Sequence, residues 1–135
     1  MIDHTGIHVT DIARSRAFYA AVLATVGYVP RLDLGDAVGF GAKVVDPADD
    51  PAGEFWIAQA EPFVPRSHIA FRAADEAEVQ AFHAAALAAG GKDNGAPGLR
   101  PRYHAHYYAA FVLDPDGYNI EAVFHRSAQP PAAPV

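Results

Sequence analysis

Apolar and polar side chains alternate with period two over Ile2 to Val9 and again over Arg66 to Ala73, the pattern of a strand whose two faces meet different surroundings. Apolar residues at helical spacing follow each stretch: Phe18, Val22 and Val26 after the first, Val79, Phe82, Ala86 and Ala89 after the second. Asp11 and Asp75 are placed to cap these helices, the second with Glu78 as a capping box, and Gly27 and Gly90-Gly91 end them. Shorter strands are predicted at Tyr28–Leu34, Ala37–Val45 and Glu54–Ala60, then near Lys92, at Tyr107–Leu113 and at Tyr118–His125.

Shifting the chain by the 64 residues that separate His4 from His68 lays Asp3 to Asp11 over Ser67 to Asp75, and further on Phe18 over Phe82, Leu23 over Leu87 and Gly27 over Gly91. The chain thus reads as one unit written twice, in the order β-α-β-β-β. The expected fold is α+β, two tandem βαβββ modules at about residues 2–61 and 66–126, forming a curved sheet around a cleft with both helices on the convex side. Residues 1–126 are predicted to be one domain and residues 127–135 a flexible Pro/Ala tail. Lys92 to His106, with the turn signal Asn94-Gly95, reads as a long loop beyond its weak strand.

Composition narrows the function. Hydrophobic residues make up 51% of the 135, ample for a core, and a net charge of −6 with no basic run argues against nucleic acid. No apolar run approaches the roughly 18–20 residues that span a bilayer, and the first residues lack a signal-peptide pattern, so no membrane partner and a cytoplasmic location are expected. With no cysteine, thiolate chemistry is excluded and His, Asp and Glu are left as metal ligands, which makes the seven histidines the residues to explain.

Strand alternation sorts them. If Thr5, Ile7 and Val9 lie under the first helix, His4, Gly6 and His8 face the concave side. In the second module Ile69, Phe71, Ala73, Ile120, Ala122 and Phe124 are buried, leaving His68, Ala70, Arg72, Asn119, Glu121, Val123 and His125 on the concave side. His4, His68 and Glu121 converge there: two imidazoles and a carboxylate, a set suited to one divalent ion such as Zn, Ni, Mn, Co or Fe(II). Phe55, Ile57 and Phe111 are expected to give that side an apolar wall, Trp56 to lie in the core beneath the first helix, and His83 to be structural. The segment Tyr103-His104-Ala105-His106-Tyr107-Tyr108 offers groups for proton transfer or substrate hydrogen bonds. Arg66, Arg72, Arg100 and Arg102 are either anion holders or solvated charges.

The turn Asp114-Pro115-Asp116-Gly117 before Glu121, with Ile2-Asp3-His4 and the helix residues Asp11, Arg14, Ser15, Phe18 and Tyr19, resembles the vicinal oxygen chelate superfamily of glyoxalase I, bleomycin-resistance proteins and extradiol dioxygenases. That resemblance covers about residues 2–125 and implies metal ligands at His4, His68 and Glu121. It implies a metal-dependent enzyme, of lyase/isomerase or dioxygenase type, that chelates neighbouring oxygens of a small-molecule substrate. The alternative is a metal-free binding protein like the bleomycin-resistance members. His8, His104 and Tyr107 are the candidate catalytic proton carriers, and a homodimer is expected, partly because two small modules leave open sheet edges. Glyoxalase I has a second Glu in its first repeat; the 64-residue shift carries Glu121 onto Ile57, which cannot bind metal.

Overall fold

A computed structural model describes residues 1–126; the expected tail at 127–135 lies outside the described residues. The chain runs β1 (Thr5–Val9), α1 (Ile12–Leu23), a 3-10 turn (Ala24–Val26), β2 (Tyr28–Asp33), β3 (Ala37–Ala42), β4 (Phe55–Gln59), β5 (His68–Arg72), α2 (Glu76–Ala88), β6 (Lys92–Leu99), β7 (Tyr107–Leu113) and β8 (Asn119–His125). This is the α+β fold of two βαβββ modules. Its eight strands form two sheets of four, ordered β1-β4-β3-β2 and β5-β8-β7-β6, with β1 and β5 at open edges.

Both helices start where their caps predict. Asp11 accepts the Arg14 amide at 3.1 Å, and Asp75 accepts that of Glu78 at 2.8 Å while Glu78 reaches back to the Ala74 amide. Gln59, at the end of β4, accepts the Ile12 amide at 3.1 Å and so satisfies another free donor of α1. Past α1, Gly27 takes a φ of 82°, a left-handed conformation that glycine adopts without strain.

Two expectations change in the second module. The stretch from Lys92 is a full strand as far as Leu99, so only residues 100–106 form the loop, and Asn94-Gly95 is a bulge within it. Gly95 pairs with Phe111, and a side chain there would meet the Phe111 ring at 3.0 Å; the glycine serves that ring, where a turn within a loop was expected.

The helix-side faces of the two sheets share one core. Tyr19 of α1 packs 5.2 Å from Phe55, and Phe71 of β5 meets Phe55 at 5.1 Å and Tyr28 at 5.8 Å, so the second module's edge strand inserts its ring into the first module. A buried polar clamp fixes this docking. Asp114 accepts the Tyr19 hydroxyl at 2.5 Å and the amides of Asp116 and Tyr118 at 2.9 Å, and Asp116 accepts the amide and hydroxyl of Thr10 and the Arg14 guanidinium. Burial pushes the Asp114 carboxyl above its ordinary value and the Tyr19 hydroxyl well above its own. Among the described residues no helix is long and apolar enough to cross a membrane.

Removing the Tyr19 hydroxyl leaves a buried Asp114 oxygen without its donor, so Tyr19→Phe is expected to cost about 1–3 kcal/mol, read as a lower urea midpoint with unchanged slope.

Candidate functional site

The β5–β8 ladder pairs His68 with Asn119 and Ala70 with Glu121, which puts His68 and Glu121 on the face away from the shared core, as alternation predicts. His68 Nε2 lies 2.9 Å from Glu121 Oε1, and His68 Nδ1 lies 2.8 Å from the Asn119 carbonyl oxygen. A carbonyl only accepts, so Nδ1 carries the proton and donates it. In the neutral ring, Nε2 then turns its lone pair toward a carboxylate oxygen. Two acceptors cannot bond each other, so the contact is satisfied by a hydrogen carried on either partner or by a cation held by both. Metal-binding histidines are commonly oriented by such a bond from the opposite ring nitrogen.

The rest of the pair's surroundings hold it in place. Glu121 is 2% exposed, and its second oxygen accepts the Tyr107 hydroxyl in a short hydrogen bond. Burial, helped by Glu121, pushes the Tyr107 hydroxyl far above its ordinary value, so the phenol keeps its proton and remains a donor to the carboxylate. Phe111 stacks on His68 with ring centres 6.2 Å apart, and this is the one member of the expected apolar wall that stands beside the pair.

His4 is elsewhere. It precedes β1, is largely exposed, and holds its Nδ1 2.7 Å from Asp3 Oδ1, which leaves Nε2 free. Among the described residues no group of three or more His, Asp and Glu side chains is gathered as a metal would need, so one chain brings together two of the three expected ligands. His4 lies before β1, while His68 and Glu121 stand on a strand face away from the core that the helix-side faces share.

Of the expected proton carriers, Tyr107 touches Glu121. His8 lies on β1, its ring 4.5 Å from that of Phe63. His104 accepts the His106 amide on Nδ1 at 3.1 Å and donates from Nε2 to His125 Nδ1 at 2.9 Å, making a histidine pair behind Tyr107 whose second member was not singled out for this role. His125 lies four positions beyond Glu121 on the same face of β8, and that spacing was the available signal. His83 is structural, as expected, bonding Asp93 at 2.9 Å and holding that carboxyl below its usual value. Arg66 and Arg100 spend their donors on backbone carbonyls.

The first module corrects two expectations. Phe55 and Ile57 are buried on the helix side, and Gln59 shares that side while capping α1. Trp56 is therefore on the opposite face from the core position expected of it. The ladders also revise the repeat: Gly6 pairs with Trp56 and Ala70 with Glu121, and Gly6 and Ala70 are the residues that the 64-residue shift relates. The counterpart of Glu121 is thus Trp56 in place of Ile57, because the second module carries one more residue between its paired strands. A cavity of about 650 Å³ opens between the modules, lined by Thr5, Tyr28, Glu54, Phe55, Ile69 and Phe71 among others, and Glu54 accepts the Tyr28 hydroxyl at its rim.

Residues 36–122 match the family described as the Glyoxalase/Bleomycin resistance protein/Dioxygenase superfamily. The chain belongs to that superfamily. A glyoxalase/bleomycin resistance protein from Albidiferax ferrireducens T118 is 30% identical with a TM-score of 0.72, the match covering 90% of this chain and 95% of that one. Two more distant superfamily structures share the fold. One is a glyoxalase/bleomycin resistance protein/dioxygenase family enzyme from Burkholderia phytofirmans PsJN, at 18% identity and TM-score 0.67, covering 92% of this chain and 98% of that one. The other is lactoylglutathione lyase from Agrobacterium tumefaciens, at 20% and 0.63, covering 92% of each. No curated protein sequence matches the chain.

In this superfamily member the Tyr107 hydroxyl answers a nearly inaccessible carboxylate. Tyr107→Phe is expected to destabilise the chain by about 1–3 kcal/mol, measured by thermal or denaturant unfolding, because Glu121 then keeps one buried oxygen without a donor.

Proposed function

We propose that the chain is a divalent-metal enzyme acting on a small substrate with two neighbouring oxygens, at a site completed by two copies of the chain. His68 and Glu121 come from one copy and His4 from the other. The observation that carries this reading is the His68–Glu121 pair, whose ring is locked by the Asn119 carbonyl with Nε2 facing a carboxylate. His4 supports it from the other side: Asp3 orients the ring and the free nitrogen is offered at the surface beside the open edge of β1. Open edges at β1 and β5 are surfaces that a homodimer would cover.

Two imidazoles and one carboxylate suit Zn, Ni, Mn, Co or Fe(II), and such an ion supplies Lewis acidity toward paired oxygens of a substrate. The chain's own residues do the remaining work. Tyr107 fixes the rotamer of Glu121 through its second oxygen, Asn119 fixes that of His68, and Phe111 shields the imidazole. His8, on β1, lies four residues beyond His4, about 13 Å at strand rise, and so outside the ligand group. With Trp56 where glyoxalase I carries its second carboxylate, conversion of a glutathione hemithioacetal is expected to be weak.

Metal analysis of purified protein is expected to find one divalent ion per site. His68→Ala, Glu121→Gln and His4→Ala should each weaken binding at least about tenfold without unfolding the chain. Light scattering should give a dimer. Protein that binds none of the five metals supports the metal-free, drug-sequestering reading instead, and rapid hemithioacetal turnover would show that the missing carboxylate is not needed.

A further inference from the structure

We infer that Arg72 and His125 form an oxyanion-binding site at the end of the β5–β8 ladder, one that takes a single phosphate or carboxylate group through hydrogen-bond donors alone. It does not depend on the metal reading above. Arg72 is two residues past Ala70, the partner of Glu121, and His125 is four past Glu121 itself, which sets them about 7 Å and about 13 Å further along the strands.

His125 reaches this place as a fixed donor. The His106 amide donates to His104 Nδ1 at 3.1 Å, so the lone pair of His104 is used there and its proton sits on Nε2. That proton is donated to His125 Nδ1 at 2.9 Å, which in turn leaves the proton of His125 on Nε2. The same ordering disfavours a metal between the two rings, since the nitrogens that face each other already share a proton. Strand order sets the direction of the remaining N–H. β8 lies between β7 and β5, and His104 stands just before β7, so a ring whose Nδ1 faces that side turns Nε2 toward β5.

Arg72 is what β5 offers there. It shares the outward face with His68 and Ala70, and it lines a small cavity of about 260 Å³ together with His125, Ala73, Ala74 and Phe124. Among the described residues its guanidinium makes no ion pair, although it also borders the larger cavity with Asp49 and Asp50. The carboxylates that follow it in the chain are engaged elsewhere: Asp75 holds the Glu78 amide, Glu78 the Ala74 amide, and Glu76 pairs with Arg126 at 2.6 Å. A guanidinium and an imidazole N–H at one hollow, with no side-chain acceptor in its lining, match the lone pairs of an oxyanion, and charge-assisted bonds of this kind are the strong ones.

Protein stripped of metal and dialysed is titrated with inorganic phosphate, and separately with acetate, at constant ionic strength, while NMR follows the histidine ¹⁵N and backbone amide signals. Saturable binding of either ion that moves the His125 Nε2 signal is the expected result, and the tighter of the two names the group. Arg72→Ala should weaken that binding at least about tenfold, and Arg72→Lys, which keeps the charge, should retain part of it. Arg31→Ala removes the same charge from the first module and should bind as wild type. His104→Phe should move the His125 proton partly onto Nδ1 and weaken binding by a smaller factor, with the amide spectrum showing each variant folded. Shifts that never saturate, equal losses in Arg31→Ala and Arg72→Ala, or a His125 proton found on Nδ1 in the wild type each overturn the site, whatever the metal analysis finds.

Discussion

Two aspartates of one tight turn, Asp114 and Asp116, decide how the two halves of this chain meet. Asp114 is 4% exposed, and a carboxyl in that position is tolerable only because the Tyr19 hydroxyl and two amides of its own turn answer its oxygens. Asp116 reaches the first turn of α1 through Thr10 and Arg14. Tyr118, which follows the turn, donates to the His8 carbonyl at 2.6 Å and accepts the Phe63 amide at 2.9 Å, so the end of β1 and the linker between modules are tied to the same place. Polar groups this buried cannot slide to a new register without losing partners, which makes the docking of the modules a single arrangement.

From that docking comes the division of the donor set. The helix-side faces are sealed into one core around Tyr19, Phe55 and Phe71, and the strand faces bearing histidines look outward. Each chain then holds a pair, His68 with Glu121, and a separate exposed histidine at the start of β1. Under the proposed function, assembly and metal binding are one event, and an isolated chain has an incomplete site. The same logic explains why Glu121 is already packed and hydrogen-bonded: its half of the site is preformed.

The two modules differ at one pair of corresponding ladder positions that the proposed function depends on. Glu121 and Trp56 occupy corresponding ladder positions, but one is a buried ligand-type carboxylate and the other a half-buried indole over glycine backbone. Gly6 and Gly39, which flank Trp56 in the ladder, correspond to Ala70 and Phe111, which flank Glu121. The change from carboxylate to indole is thus accompanied by loss of side chains around it.

Much of this was legible in the residues themselves. The repeat, the caps at Asp11 and Asp75, the strands and the shared face of His68 and Glu121 all follow from local spacing, because alternation and helical periodicity depend only on near neighbours along the chain. Tertiary structure decided the rest. The face of Trp56, the strand character of the stretch from Lys92, and the separation of His4 from Glu121 depend on pairings between distant segments. Across the β1–β4 ladder a one-residue difference in chain length exchanges the two faces, and no local pattern records it; the hydrogen-bonded register between Gly6 and Trp56 does.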